Sequence, residues 1–180
     1  MDMSIEKTIS QEIIFTGKII TVRKDTVELP NEKQATREVV EHTGAVAVVA
    51  LTPQDELILV RQYRYALQKE LFEIPAGKLD SIEEGPEACG RRELLEETGL
   101  MAQEMISLGR IYPSVGFSTE GIHLFLAQNL TQKEQCLDED EFLTIHKVLL
   151  KEVLRRIYEN EICDAKTIIG VLKAKEYLGK

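Results

Sequence analysis

The chain has 180 residues, 43% of them apolar and 29% charged, with only 11 Gly and 3 Cys. These proportions suit one folded domain with an appended element and exclude a disordered, collagen-like or disulfide-scaffold protein. Lys and Arg number 22 against 31 Asp and Glu, a net charge of −9. No basic stripe is present, so no nucleic-acid partner is expected, whereas a phosphate-bearing small molecule is compatible if metal ions supply positive charge.

The N-terminus, MDMSIEKTIS, has no basic stretch followed by an apolar one, so a cytoplasmic location is the default expectation. Glu12 to Thr16, Lys18 to Glu28, Arg37 to His42, Ala45 to Thr52 and Leu57 to Gln62 are rich in β-branched residues and are predicted as strands of a mostly antiparallel sheet, with turns at Pro30-Asn31 and Pro53-Gln54-Asp55. The longest apolar run, Gly44 to Leu51, is less than half of the ~20 residues a membrane span needs, so no membrane segment is expected. After Gly85-Pro86 the period changes, and Pro86 and Gly99 bracket a predicted helix. Ile106 to Tyr112 and Ile122 to Gln128 are predicted strands, and Val148 to Tyr158 and Ala165 to Leu178 predicted helices. Cys89, Cys136 and Cys163 form no C-x-x-C pair and read as reduced, mostly buried thiols, and His42, His123 and His146 show no ligand spacing.

The helix PEACGRRELLEET carries the chemistry. At about 100° per residue, Ala88, Leu95, Arg91, Thr98 and Leu94 fall on one side and Glu96, Glu93 and Glu97 on the other, which predicts three carboxylates offered opposite a buried face. Glu93 and Glu97 form an i,i+4 like-charge pair, costing an isolated helix ~0.2–0.5 kcal/mol. They also lie in the last two turns, where the helix dipole is already negative. An ordinary solvated face does not account for so many carboxylates at the wrong end. A divalent cation does, because hard ions take several oxygen ligands and Mg²⁺ is commonly held by carboxylates together with substrate phosphates. The preceding loop, Glu73 to Asp80, contains Pro75 and Gly77, which let a backbone carbonyl turn towards a ligand.

Taken together, Gly77, Glu84, Arg92, Glu93, Leu94, Glu96, Glu97, Gly99 and Leu100 resemble the Nudix box, G-x5-E-x7-R-E-U-x-E-E-x-G-U with U aliphatic. Six residues rather than five separate Gly77 from Glu84; choosing Glu83 would restore that gap and lengthen the next to eight. An insertion at Ser81-Ile82 leaves the helical phase intact. The segments Thr36 to Val46, Arg61-Gln62-Tyr63-Arg64, Glu73 to Leu79, Tyr112-Pro113-Ser114, His123 to Ala127, Asp138 to Phe142 and Asp164 to Thr167 are similar to the ADP-ribose pyrophosphatase branch, with Ser114-Val115-Gly116 where that branch more usually has Ser-Pro-Gly.

The resemblance implies an α/β Nudix fold, an α/β/α sandwich with a mixed sheet and an N-terminal antiparallel β extension. Residues 1–42 would be that extension, dimer-forming, and 43–180 the hydrolase domain. It implies hydrolysis of ADP-ribose to AMP and ribose 5-phosphate, with Mg²⁺, or Mn²⁺ as the alternative, held by Glu93, Glu96, Glu97 and the Ala76 carbonyl. Gly77, Glu84 and Arg92 would support the site, and Arg64 and Arg37 would bind the diphosphate. Metal-bound carboxylates are poor bases, so the general base is expected in the acidic loop Asp138 to Glu141, and the resemblance implies Glu141, which matches the glutamate proposed as base in some relatives, with Glu139 second. Two alternatives stand beside this: hydrolysis of a nucleotide sugar or dinucleotide coenzyme, and a Nudix-like ligand sensor without turnover, against which the complete glutamate set argues.

Overall fold

A computed structural model describes residues 5–79, 84–136 and 142–180. The described residues form ten strands, three α-helices and one 3-10 turn. They fall into two compact units, one containing the chain up to Gly44 with Tyr112–Gly121, the other Ala45–Ile111 with Ile122–Lys180.

The first unit is an antiparallel meander of β1 (Lys7–Thr16), β2 (Thr21–Glu28) and β3 (Gln34–Glu41), in that order. The strand predicted from Lys18 begins instead at Thr21, because the Gly17 N–H donates to the Ile20 carbonyl at 2.9 Å and closes a turn. Within β3, the Val40 N–H donates to the Phe117 carbonyl at 2.7 Å, and the Thr119 N–H to the Val40 carbonyl at 3.0 Å. Every residue of β1 is exposed. Ile5 before it, with Ile9, Ile13, Ile14 and Phe15, ranges from 50% to 68% exposed.

The second unit is built on a mixed sheet of β10 (Leu143–Leu149), β5 (Glu56–Arg64), β4 (Ala45–Leu51), β9 (Ile122–Gln132) and β8 (Leu100–Ile111), in that order. β6 (Lys69–Glu73) pairs with β5, and β7 (Ala76–Lys78) with β4. The β4/β9 pairing is parallel. Strand alternation divides the core: Ala47, Val49, Leu51, Leu57, Leu59, Leu124 and Leu126 pack with Val153, Ile157, Val171 and Ala174 of α2 (Leu150–Tyr158) and α3 (Ala165–Tyr177). Val46, Val48, Ala50, Ile58, Phe125 and Ala127 pack on the other face with Cys89 and Leu94 of α1 (Pro86–Thr98). This is the expected α/β/α sandwich. Leu94 is fully buried, and truncating such a residue costs about 2–5 kcal/mol.

Several boundaries differ from expectation. β8 starts at Leu100 rather than Ile106, since its ladder with β9 runs from Leu100↔Gln132 to Ile111↔Ile122 and carries polar residues that propensity alone does not favour in strands. Val148 and Leu149 end β10, paired with Leu57 and Glu56, and the second helix begins only at Leu150, whose N–H donates to the Asp55 carbonyl. The expectation of mostly buried thiols is corrected: Cys89 is buried, but Cys136 and Cys163 are exposed. Among the described residues no helix is long and apolar enough to cross a membrane.

Candidate active site

α1 enters on Gly85-Pro86 without a side-chain cap and ends on Gly99, which adopts φ 67° and donates its N–H to the Leu95 carbonyl. That left-handed residue is a common helix terminator and is tolerated by glycine without cost.

The helix face differs from the expected one. Glu93 and Glu97 are buried, at 8% and 2% exposure, while Ala88 is exposed. The carboxylates of Glu93 and Glu97 turn towards β7 instead of water. The Glu97 Oε2 accepts from the Ala76 N–H at 3.1 Å. The Glu93 carboxylate occupies the space beside Gly77, where an added Cβ would stand 1.9 Å from Glu93 Cδ. A side chain at position 77 would displace this carboxylate, which gives the glycine a physical reason.

Arg92 compensates the crowded charge. Its Nε and Nη2 donate to Glu84 Oε1 and Oε2 at 2.8 and 3.2 Å, and its Nη1 to Glu93 Oε1 and Glu96 Oε2, both at 2.8 Å. The hydrogen bond from Arg92 holds the Glu84 carboxyl below the usual range, and the same bond raises the arginine. At the helix end, the Cys136 N–H donates to the Glu96 carbonyl at 3.2 Å and Gln135 Nε2 to the Glu97 carbonyl at 2.6 Å. These donors satisfy carbonyls that would otherwise add negative potential beside the glutamates.

A second cluster borders this one. Arg64, at the end of β5, donates from Nε and Nη2 to Glu73 Oε1 and Oε2 at 2.7 and 2.6 Å. Lys166 Nζ also pairs with Glu73 Oε2 and lies 3.1 Å from Asp164 Oδ2. Burial alone would push the Glu73 carboxyl up, but the Arg64 hydrogen bonds and the Lys166 charge hold it below the usual range. Arg64 is raised chiefly by its Glu73 hydrogen bond, and the charges of Asp164 and Glu97 add to this, relating the arginine to the acidic helix.

The predicted residues therefore fall in different places. Ala76, Gly77, Glu84, Arg92, Glu93, Glu96 and Glu97 come together around the β7/α1 junction, whereas Arg37 lies in the first unit, paired with Glu6. Glu139 and Glu141, and the Ser81-Ile82 insertion, lie outside the described residues. Among the described residues no three His, Cys, Asp or Glu side chains stand around a common metal position. Chemically Glu93, Glu96 and Glu97 offer the hard carboxylate oxygens that a divalent cation takes, and the nearby thiol of Cys89 is engaged with the Lys78 carbonyl and with Arg92 Nη2. Glu73, Lys166, Asp164 and Gln135 carried no role in the sequence reading. Asp164-x-x-Thr167 was the available signal, as a helix cap: Asp164 Oδ2 accepts from the Thr167 N–H at 3.0 Å.

Comparison with known proteins adds the decisive observation: the sequence profile described as the NUDIX domain matches residues 41–167. The chain belongs to the Nudix family. A second profile, described as the nucleoside diphosphate sugar hydrolase N-terminal domain, matches residues 6–40. The ADP-ribose pyrophosphatase of Bacillus subtilis (strain 168) is 45% identical over 177 residues, covering 96% of this chain and 95% of that protein. The methanol dehydrogenase activator of Bacillus methanolicus is 46% identical over 168 residues, covering 92% and 90%. The crystal structure of an ADP compounds hydrolase superposes with a TM-score of 0.87 over 99% of this chain and 97% of that one, at 20% identity, and so shares the Nudix fold. With these matches the chain is a Nudix pyrophosphatase.

Proposed function

We propose that this Nudix enzyme hydrolyses the diphosphate of ADP-ribose to AMP and ribose 5-phosphate, using divalent cations, with Mg²⁺ preferred and Mn²⁺ as a substitute. The observation carrying this reading is the 45% identity to an ADP-ribose pyrophosphatase over nearly the full length of both chains. Nudix hydrolases generally use divalent metal ions, and the three carboxylates of Glu93, Glu96 and Glu97 on α1 support the same requirement here.

In this reading Glu93, Glu96, Glu97 and the Ala76 carbonyl hold the metal, which when bound neutralises the diphosphate and lowers the pKa of a water. Gly77 leaves room for Glu93, and Glu84 anchors Arg92 beside it. Arg64, with Arg37 as a second contact, orients the diphosphate, because a guanidinium offers paired donors to phosphate oxygens. Glu141, with Glu139 second, takes the proton from the attacking water. Residues 1–42 form a dimerising extension to the hydrolase domain of 43–180. The exposed apolar residues of β1 support a homodimer, since an uncovered apolar strand is a liability that a partner copy removes.

A nucleotide sugar is the second reading, favoured by the name of the profile matching residues 6–40. The test is a panel of ADP-ribose, nucleotide sugars and dinucleotide coenzymes, each with Mg²⁺ and Mn²⁺, with products separated by chromatography. ADP-ribose should give the highest kcat/KM and yield AMP with ribose 5-phosphate. A nucleotide sugar cleaved far faster would replace this substrate assignment, and no metal-dependent turnover of any compound would leave the sensor reading.

A further inference from the structure

Glu73 is the most deeply buried carboxylate of the second cluster, its side chain 1% exposed, and the Lys166 side chain is 12% exposed. Arg64, which they serve, keeps 42% of its side chain exposed. A pair whose purpose was only to stabilise the core would bury the arginine as well. Glu73 instead grips one edge of the guanidinium, through Nε and Nη2, and among the described residues Nη1 donates to no protein acceptor. A planar guanidinium held along that edge presents its opposite edge, Nη1 with the outer Nη2 hydrogen, in a fixed direction.

The grip is itself held. Asp164 Oδ2 accepts from the Thr167 hydroxyl at 2.6 Å, and that hydroxyl oxygen accepts from the Ile74 N–H at 2.9 Å, next to Glu73. Lys166 joins Glu73 to Asp164 and completes the circuit. The start of α3 is thereby locked to the end of β6, and the formal charges of Arg64, Lys166, Glu73 and Asp164 balance.

We infer that Glu73 is a positioning residue, locked by Lys166 and the Asp164–Thr167 cap, that orients Arg64 so that its outer edge receives two oxygens of a substrate diphosphate. The inference rests on the proposed hydrolysis of a nucleoside diphosphate compound, and its test separates the two. Without substrate, the Arg64 Nε–H resonance, assigned by its loss in Arg64→Lys, should be protected from exchange in the wild type and lose that protection in Glu73→Gln. An unchanged resonance would overturn the inference. With ADP-ribose and saturating Mg²⁺, Glu73→Gln should raise KM by about 10–100-fold while kcat changes little, as expected for a misaimed binding group. In an Arg64→Ala background the same substitution should change KM less than about twofold, because both changes disable one device. Equal effects in the two backgrounds would show that Glu73 acts independently of Arg64 and would overturn the proposal. If Glu73→Gln alone does not fold, Glu73→Gln/Lys166→Met removes both buried charges and replaces it in each comparison. If the wild type prefers another diphosphate compound, the substrate assignment falls while the same cycle on that compound still decides Glu73.

Discussion

The Ala76 N–H donates to Glu97 Oε2 at 3.1 Å, so the residue whose carbonyl is proposed to face the metal also fixes one of the proposed metal-holding carboxylates. Strand β7 and helix α1 are registered to each other by this bond. Glu97→Gln retains the shape and removes a charged ligand. Turnover should fall by several orders of magnitude with the circular dichroism spectrum and melting temperature little changed. Near-normal turnover at limiting Mg²⁺ would contradict the assignment.

Gly77→Ala puts a methyl group into the space of the Glu93 carboxylate. The carboxylate must move, at an overpacking cost of about 1–3 kcal/mol. Mn²⁺ affinity, followed by electron paramagnetic resonance, should fall about 10–100-fold, as when a supporting residue of a metal site is lost. Wild-type affinity would show that Glu93 does not need its position beside the glycine.

The folded-state pKa of Glu73 lies below its ordinary value, despite burial, because of Arg64 and Lys166. Its stabilising contribution is therefore complete above the unfolded glutamate value of about 4.3 and disappears as pH falls through the lower folded value. Wild type should lose stability over that acidic window, and Glu73→Gln/Lys166→Met should show a shallower loss. Urea midpoints measured between neutral and acidic pH check this; parallel curves would remove Glu73 from the acid response.

β1 exposes Ile9, Ile13, Ile14 and Phe15. Sedimentation of the wild type should give twice 20.4 kDa, and Ile13→Glu/Phe15→Glu should shift the protein towards monomer. A wild type that is monomeric and fully active at all dilutions would refute the homodimer.

Glu141→Gln should depress kcat strongly with little change in KM, since a general base acts in the transition state. Should both Glu141→Gln and Glu139→Gln keep wild-type kcat across the pH range, the base lies outside this loop.

The helix Pro86–Thr98 was legible because its boundary residues act locally: proline at the first position and glycine at the left-handed stop. The depth of Glu93 and Glu97 was not, because a periodicity argument turns carboxylates towards water and cannot foresee Ala76, Gly77 and Arg92 receiving them. Glu73 stood within a recognised segment, but its role depends on Lys166, 93 residues further on. The short β6 and β7 were hidden for a similar reason. Their pairing with β5 and β4, not their own composition, makes them strands.

Arg92 divides its guanidinium between two tasks, with Nε and Nη2 on Glu84 and Nη1 on Glu93 and Glu96. Any cation drawing Glu93 Oε1 and Glu96 Oε2 to itself must take them from an arginine that stays moored at Glu84. If the proposed metal site is right, ion uptake would be an exchange of counter-charges, with the displaced cation part of the polypeptide and unable to diffuse away. Without an ion the helix is spared the full repulsion of its own glutamates, and substitutions that loosen Arg92 from Glu84 would then be expected to change metal affinity without touching a proposed ligand.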